Sequence, residues 1–360
     1  MTLEFGEKTR RIPVYPVAAG YNLGSEVAML ASNEAPFGPL EPVVEAARRA
    51  VIDANRYPDP SYTQLRQALS DRYGVPWERI ALGAGSCDLI LAAGEALLEP
   101  GAEVVYAWPA FSVYPHLAAA SGARAIEVPL TDEAVHDLDA IAAEITVATR
   151  LVLVCNPNNP TGTVLPLEEI EAFLAEVPDH VCVILDEAYV EFSLTIGDPF
   201  ASLPLLDRHP NLVILRTFSK VYGLAGLRAG YGLCGSESFR IAVDQVRQPF
   251  YLTSAAQAAA VEALKYQDEV ERRVVASVAA RTTVTEALRD RGLWVAESDA
   301  NFLWVRIAED GDDGPVVAGL QERGVLVRAG SALGGPGFAR VTLGTDAENR
   351  KFLAALDELL

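Results

Sequence analysis

Three short apolar runs, each breaking off into residues that carry chemistry, limit what this chain can fold into. Leu151-Val152-Leu153-Val154-Cys155 gives way to Asn156-Pro157-Asn158-Asn159-Pro160-Thr161-Gly162. Val181-Cys182-Val183-Ile184-Leu185 gives way to Asp186-Glu187-Ala188-Tyr189, and Leu212-Val213-Ile214-Leu215 to Arg216-Thr217-Phe218-Ser219-Lys220. Continuous apolar runs of this length suit strands buried on both faces, as in a parallel sheet covered by helices. Ligands of such sheets collect beyond the carboxyl ends of the strands. Asn159, Asp186, Tyr189, Lys220 and Arg228 are therefore expected in one crevice. A lysine standing alone at a strand end is an ordinary solvated side chain. Lys220, flanked by hydroxyls and accompanied by these groups, is a candidate to hold a carbonyl cofactor as a Schiff base.

Apolar runs alternate with helical patterns from about residue 80 to about residue 235, which is the signature of βαβ units. Beyond Gly235 the pattern changes to alanine-rich helices, from about Ser254 to Leu264 and from about Asp268 to Arg291. Strands follow at Phe302–Ile307, Val325–Arg328 and Ala339–Leu343. A chain of 360 residues exceeds what one core usually serves. The expected architecture is α/β: a large domain over residues 30–245, with a mostly parallel central sheet flanked by helices, and a smaller α+β domain formed by residues 1–29 and 246–360.

Charge excludes some partners. Lys and Arg total 29 against 49 Asp and Glu, a formal charge of −20, and such a field repels nucleic acid and anionic membrane surfaces. No run approaches the length of a membrane-spanning helix, and no N-terminal stretch joins a basic region to an apolar core and a cleavage site. The expectation is a soluble, cytoplasmic protein. Cys87, Cys155, Cys182 and Cys234 fall in no metal-ligand spacing, and His116, His136, His180 and His209 are scattered. Buried free thiols in a reducing compartment and no metal site are expected.

Gly83-Ala84-Gly85-Ser86-Cys87 lies between a strand and a helix, where the amides around Gly85, Ser86 and Cys87 can cradle a phosphate at the helix N-terminus. Many ordinary strand-to-helix turns carry two glycines, so the turn alone decides nothing. Thr217, Ser219 and Arg228 add two hydroxyls and a guanidinium suited to a phosphate dianion.

Taken together, these residues resemble the fold-type I pyridoxal-phosphate aminotransferases, and within them the histidinol-phosphate aminotransferase family. The matching stretches are Ala31 to Pro39, Asn55 to Asp59, Asn156 to Gly162, Asp186 to Tyr189 and Thr217 to Tyr231, and the likeness runs from about residue 12 to the C-terminus. It implies pyridoxal 5'-phosphate as cofactor, an amino donor and a 2-oxo acid as substrates, and a homodimer with shared active sites. Lys220 would carry the cofactor and then move the proton between the substrate Cα and C4′ of the cofactor. Asp186 would keep the pyridine nitrogen protonated, making the ring an electron sink. Asn159 and Tyr189 would hydrogen-bond the ring oxygen. Phe111, in Trp108-Pro109-Ala110-Phe111, matches the aromatic residue that stacks on the cofactor, and Tyr57 the residue that reaches the cofactor phosphate of the neighbouring subunit. Arg340 matches the arginine that grips the substrate's anionic end. Arg328 could assist with a second anion, and Tyr15 could close over the substrate.

The likeness loosens at the glycine turn, where the family's usual Asn and Asp-Glu pair are replaced in Gly83-Ala84-Gly85-Ser86-Cys87-Asp88. Ala84, Trp108 to Pro115 and Pro249 to Ser254 look more like the related phenylalanine (aromatic) aminotransferases. The leading expectation is transfer of nitrogen between histidinol phosphate and 2-oxoglutarate. An aromatic amino acid aminotransferase on the same scaffold is the alternative. A pyridoxal-phosphate decarboxylase differs only in which bond at Cα stands perpendicular to the ring. A cofactor-sensing regulator would need a DNA-binding segment, for which the residues before Asn33 are too few and too uncharged.

Overall fold

The structure, a computed structural model, describes residues 3–12, 14 and 26–360. Its largest sheet contains β2 (Ile80–Gly83), β3 (Glu103–Trp108), β4 (Arg124–Pro129), β5 (Thr149–Cys155), β6 (Cys182–Asp186), β7 (Leu212–Thr217) and β8 (Gly230–Cys234) in the order β2-β8-β7-β6-β5-β3-β4. β8 runs against both its neighbours, and the remaining pairs are parallel. This is the mostly parallel α/β sheet expected of the chain.

Period-two alternation explains why the three apolar runs are continuous. Val152, Val154, Val183, Leu185, Leu212 and Ile214 join the core on one face, while Leu151, Leu153, Ile184, Val213 and Leu215 join the core on the other. The same alternation splits the chemistry at the strand ends. Glu187 and Arg216 turn to the first face and form an ion pair, with Nη2 to Oε2 at 2.5 Å and side chains 2% and 1% exposed. Tyr73 covers the guanidinium. Asp186 and Thr217 are left to face the opposite side.

The smaller part holds β9 (Phe302–Arg306), β11 (Arg328–Ala329) and β12 (Phe338–Thr342) as an antiparallel sheet in the order β11-β12-β9. β1 (Ala28–Met29) pairs in parallel with β10 (Val325–Leu326) beside it. The strand expected over Val325–Arg328 is therefore two short pieces serving different partners. Val325 and Leu326 take up the strand near the N-terminus, and Arg328 turns to β12. No helix among the described residues is long and apolar enough to cross a membrane.

Helices connect the two parts. Helix Ser254–Ala263 is capped by the Thr253 hydroxyl, which accepts from Ala256 N. Its small Ala256, Ala259, Ala260 and Ala263 let it lie close on helices Glu41–Ile52 and Thr63–Tyr73. The 24-residue helix Gln267–Asp290 then reaches the smaller sheet. Its Arg281 donates to Phe192 O and Ala300 O and pairs with Asp299, whose other oxygen accepts from Ser193 Oγ at 2.8 Å. These bonds hold the segment before β9 against the loop beyond β6, and Asp299 N donates to Gly162 O at 2.8 Å in the loop beyond β5.

Candidate active site

Register assembles the site. Cys155 of β5 lies opposite Asp186 of β6, and Asp186 opposite Leu215 of β7. Three strand ends thus fall level, and the residues after them enclose a cavity of about 470 Å³, within the usual range for a small-molecule site. Asn159, Asp186, Tyr189, Thr217, Ser219, Lys220, Arg228, Ser86, Cys87, Phe111, Arg328 and Arg340 all line it. Gly85 shapes the turn beside Ser86. Tyr57 does not reach this chain's own cavity: it is 82% exposed and stacks on Phe250 with ring centroids 4.6 Å apart. Tyr15 lies outside the described residues.

One end of the cavity is built for a dianion. Helix Ser86–Leu97 begins at Gly85, in the left-handed region at φ 88°, and no side chain caps it, so its first amides can serve a ligand. A Cβ on Gly85 would sit 2.3 Å from Arg228 Nη2, and one on Gly230 would sit 2.3 Å from Ser86 N. Only glycines allow the guanidinium and β8 to approach this closely. Arg228 donates to Ala84 O at 3.2 Å and to Ser219 Oγ at 3.4 Å, and Thr217 Oγ1 bonds Ser219 Oγ at 3.0 Å. Asp88 braces the turn from behind, accepting from Ala84 N and pairing with Arg247 at 2.9 Å.

Deeper in the cavity burial sets the protonation. Lys220 is pulled down from 10.5 to about 7, chiefly because its ammonium loses water and secondarily because Arg340 and Arg228 repel it. Its Nζ donates to Ser32 O at 3.2 Å and lies 5.6 Å from the Tyr189 ring centre. Burial raises Asp186 from 3.8 to about 6, against the Ala188 amide that its carboxylate accepts from at 3.1 Å. A carboxylate held this way gains from a cation placed against it. Burial also pushes the Cys87 thiol up to about 11, so this side chain is a neutral wall rather than a nucleophile.

At the opposite end Arg328 and Arg340 sit directly across from one another on β11 and β12, and both guanidiniums line the cavity. Arg340 donates to Asn159 Oδ1 at 2.6 Å and to Ala31 O at 2.7 Å. With its oxygen engaged, the Asn159 amide presents its NH₂ as the donor. Segment Ala31–Glu34 lines the cavity, yet sequence reasoning assigned it no role. Asn33 donates to Tyr189 Oη at 3.0 Å. The available signal was its place in the matching stretch, but a buried asparagine at φ 54° is not visible without coordinates. Leu333, also missed, contributes an apolar wall with Phe111.

The donor set fits a phosphorylated pyridine: a dianion cradle, an amine that burial brings near neutrality, a buried carboxylate, and amide and phenol donors between them. Residues 25–356 match the model of aminotransferase class I and II. The chain belongs to this family. It is 46% identical to the aromatic amino acid aminotransferase of Thermobifida fusca, over 91% of this chain and 88% of the relative. It is 43% identical to histidinol-phosphate aminotransferase 2 of Ralstonia nicotianae, over 100% of this chain and 98% of the relative. Among solved structures, histidinol-phosphate aminotransferase from Sinorhizobium meliloti in complex with pyridoxal-5'-phosphate matches with TM-score 0.85 and 32% identity, covering 92% of this chain and 90% of that one. The aminotransferase is thus a pyridoxal-phosphate-dependent transaminase with the type I fold. Among its described residues no group of His, Cys, Asp and Glu could hold a metal ion.

Proposed function

We propose that this transaminase moves an amino group between histidinol phosphate and 2-oxoglutarate. The observation that carries the reading is the pair Arg328 and Arg340, set opposite each other in one cavity. Two guanidiniums suit a phosphate monoester, and they suit equally the second carboxylate of a dicarboxylic oxo acid. Relatives named for histidinol phosphate, at 43% identity, support it. A second reading, an aromatic amino acid aminotransferase, is favoured by the apolar wall of Phe111 and Leu333 and by the relative from Thermobifida fusca.

When bound, pyridoxal phosphate supplies a conjugated electron sink for the carbanion left at Cα. The rest falls to the side chains. Lys220 would hold the cofactor covalently, and its amine, titrating near neutrality, would both take and return the Cα proton. Asp186 keeps a proton on the pyridine nitrogen, and that cation in turn favours its ionised form. Asn159 and Tyr189 donate to the ring oxygen, Phe111 stacks on the ring, and Ser86, Cys87, Gly85, Thr217, Ser219 and Arg228 hold the phosphate through backbone, hydroxyl and guanidinium groups. Arg340 and Arg328 orient the substrate by its anions.

The same reading makes the working unit a cytoplasmic homodimer in which Tyr57 of each subunit reaches the other's phosphate. The exposed apolar surface of Val51, Ile52 and Tyr57, at 58%, 80% and 82% exposure, supports an interface there. Four free cysteines support a reducing compartment. Half-reaction rates with histidinol phosphate and with phenylalanine at equal concentration test the substrate. Faster bleaching of the cofactor band by histidinol phosphate is expected, and a large preference for phenylalanine would replace the first reading by the second.

A further inference from the structure

We propose that Thr342 and Asn33 form a relay that fixes the direction in which the Tyr189 hydroxyl donates its proton. The relay rests on the reading of the site given above and adds positioning residues to it.

Asn33 is 1% exposed and adopts φ 54°, a conformation that non-glycine residues enter rarely and keep only when neighbours hold it. Its neighbours come from the smaller sheet. Asn33 N donates to Thr342 Oγ1 at 2.9 Å, and Asn301 Nδ2 donates to Asn33 O at 3.2 Å. Thr342 Oγ1 donates to Asn33 Oδ1 at 3.2 Å, and Asn33 Nδ2 donates to Tyr189 Oη at 3.0 Å.

A hydroxyl carries one proton, and that count orders the chain. Thr342, 1% exposed, receives the Asn33 backbone N–H and must send its own proton to an acceptor. The side-chain oxygen of Asn33 is that acceptor. Turning the amide over would place an NH₂ against a hydroxyl whose proton then has nowhere to go, a cost of about 1–3 kcal/mol for a buried group. The amide is therefore locked with its nitrogen toward Tyr189. Because Tyr189 Oη accepts from that nitrogen, its own proton is free to point into the cavity it lines. There it serves as an obligate donor to the ring oxygen of the cofactor. A threonine on β12, two residues from Arg340 on the same face, thus sets the polarity of a phenol in the loop beyond β6.

A donor to the ring oxygen withdraws electron density and lowers the pH at which the bound cofactor gives up its proton. The charged or titratable groups facing Tyr189 are Arg340, Cys155, Asp186 and Lys220, and all remain in the variants below. The test is the pH titration of the visible absorbance of the full-length, cofactor-loaded protein. Thr342→Val keeps the shape and deletes the hydroxyl, and it should raise the titration midpoint by about one pH unit, the worth of one hydrogen bond. Thr342→Ser should restore the wild-type midpoint. In a Tyr189→Phe background, Thr342→Val should add nothing. Should Thr342→Val fail to fold, Thr342→Ala, which also removes the hydroxyl and adds no charge, is expected to raise the midpoint in the same way. A wild-type midpoint in Thr342→Val, an equal shift in Thr342→Ser, or additive shifts with Tyr189→Phe would each overturn the relay while leaving the site intact. A wild-type protein that takes up pyridoxal phosphate without any pH-dependent band would overturn the reading of the site itself.

Discussion

Lys220→Met should stabilise the cofactor-free protein, and by an amount that depends on pH. The wild-type amine is buried among Arg340 and Arg228, and its pKa falls from 10.5 to about 7. Between those values the unfolded chain holds a proton that the folded chain has lost, so wild-type stability rises with pH across this window. Below it the folded state bears the full penalty of a poorly solvated ammonium. Linkage puts that penalty at about 4 kcal/mol at pH 7 and about 2 kcal/mol at pH 9. Both figures are ceilings, because Lys220 keeps some contact with water in the cavity and methionine forfeits the bond to Ser32 O. A gain of about 2 kcal/mol at pH 7, roughly halved at pH 9, is the working expectation. Urea unfolding of apoprotein at matched protein concentration, with midpoint and slope fitted separately, measures it. No gain at pH 7, or a gain that holds steady or grows toward pH 9, would refute the assignment of this lysine as a strained, functionally retained base.

Three further perturbations probe different layers of the site. Asp186→Asn keeps the shape and removes the charge opposite the pyridine nitrogen; kcat/KM should fall by about two to three orders of magnitude while cofactor still binds, as steady-state rates and the absorbance spectrum would show. Gly85→Ala puts a Cβ 2.3 Å from Arg228 Nη2 at φ 88°; apoprotein titrated with pyridoxal phosphate should bind it about tenfold or more weakly. Arg216→Met strands the buried Glu187 carboxylate, and urea unfolding should register a loss of about 3–5 kcal/mol with little change in the kcat of the protein that remains folded.

Much of the catalytic layer was legible because strand ends announce themselves. Asp186 and Lys220 each follow an apolar run whose length and composition specify a doubly buried strand, and the level register of β5, β6 and β7 does the rest. The family resemblance supplied Phe111, Arg328 and Arg340, which line the same cavity. Asn33 and Thr342 were not legible as a pair, since they lie 309 residues apart and their meaning is a proton count in a buried network. Edges of elements were also hard to read. Val325–Arg328 has the composition of one strand, and only the pairing of Ala28 with Val325 reveals that it is shared between two sheets. The change to alanine-rich helices after Gly235 marks a shift in packing style. Yet Ala256, Ala259 and Ala260 pack into the core of the large sheet, because small side chains favour close helix contacts wherever a partner helix lies.

Reduction of the loaded protein with borohydride, followed by peptide mass spectrometry, tests the central claim most directly. The chain has four lysines, Lys8, Lys220, Lys265 and Lys351, and Lys8 and Lys265 stand at the surface in ion pairs with Glu95 and Glu262. The phosphopyridoxyl mass should appear on the peptide that contains Lys220 and nowhere else at stoichiometric yield. Recovery of that mass on another lysine, or a loaded protein with no modified lysine at all, would contradict the account.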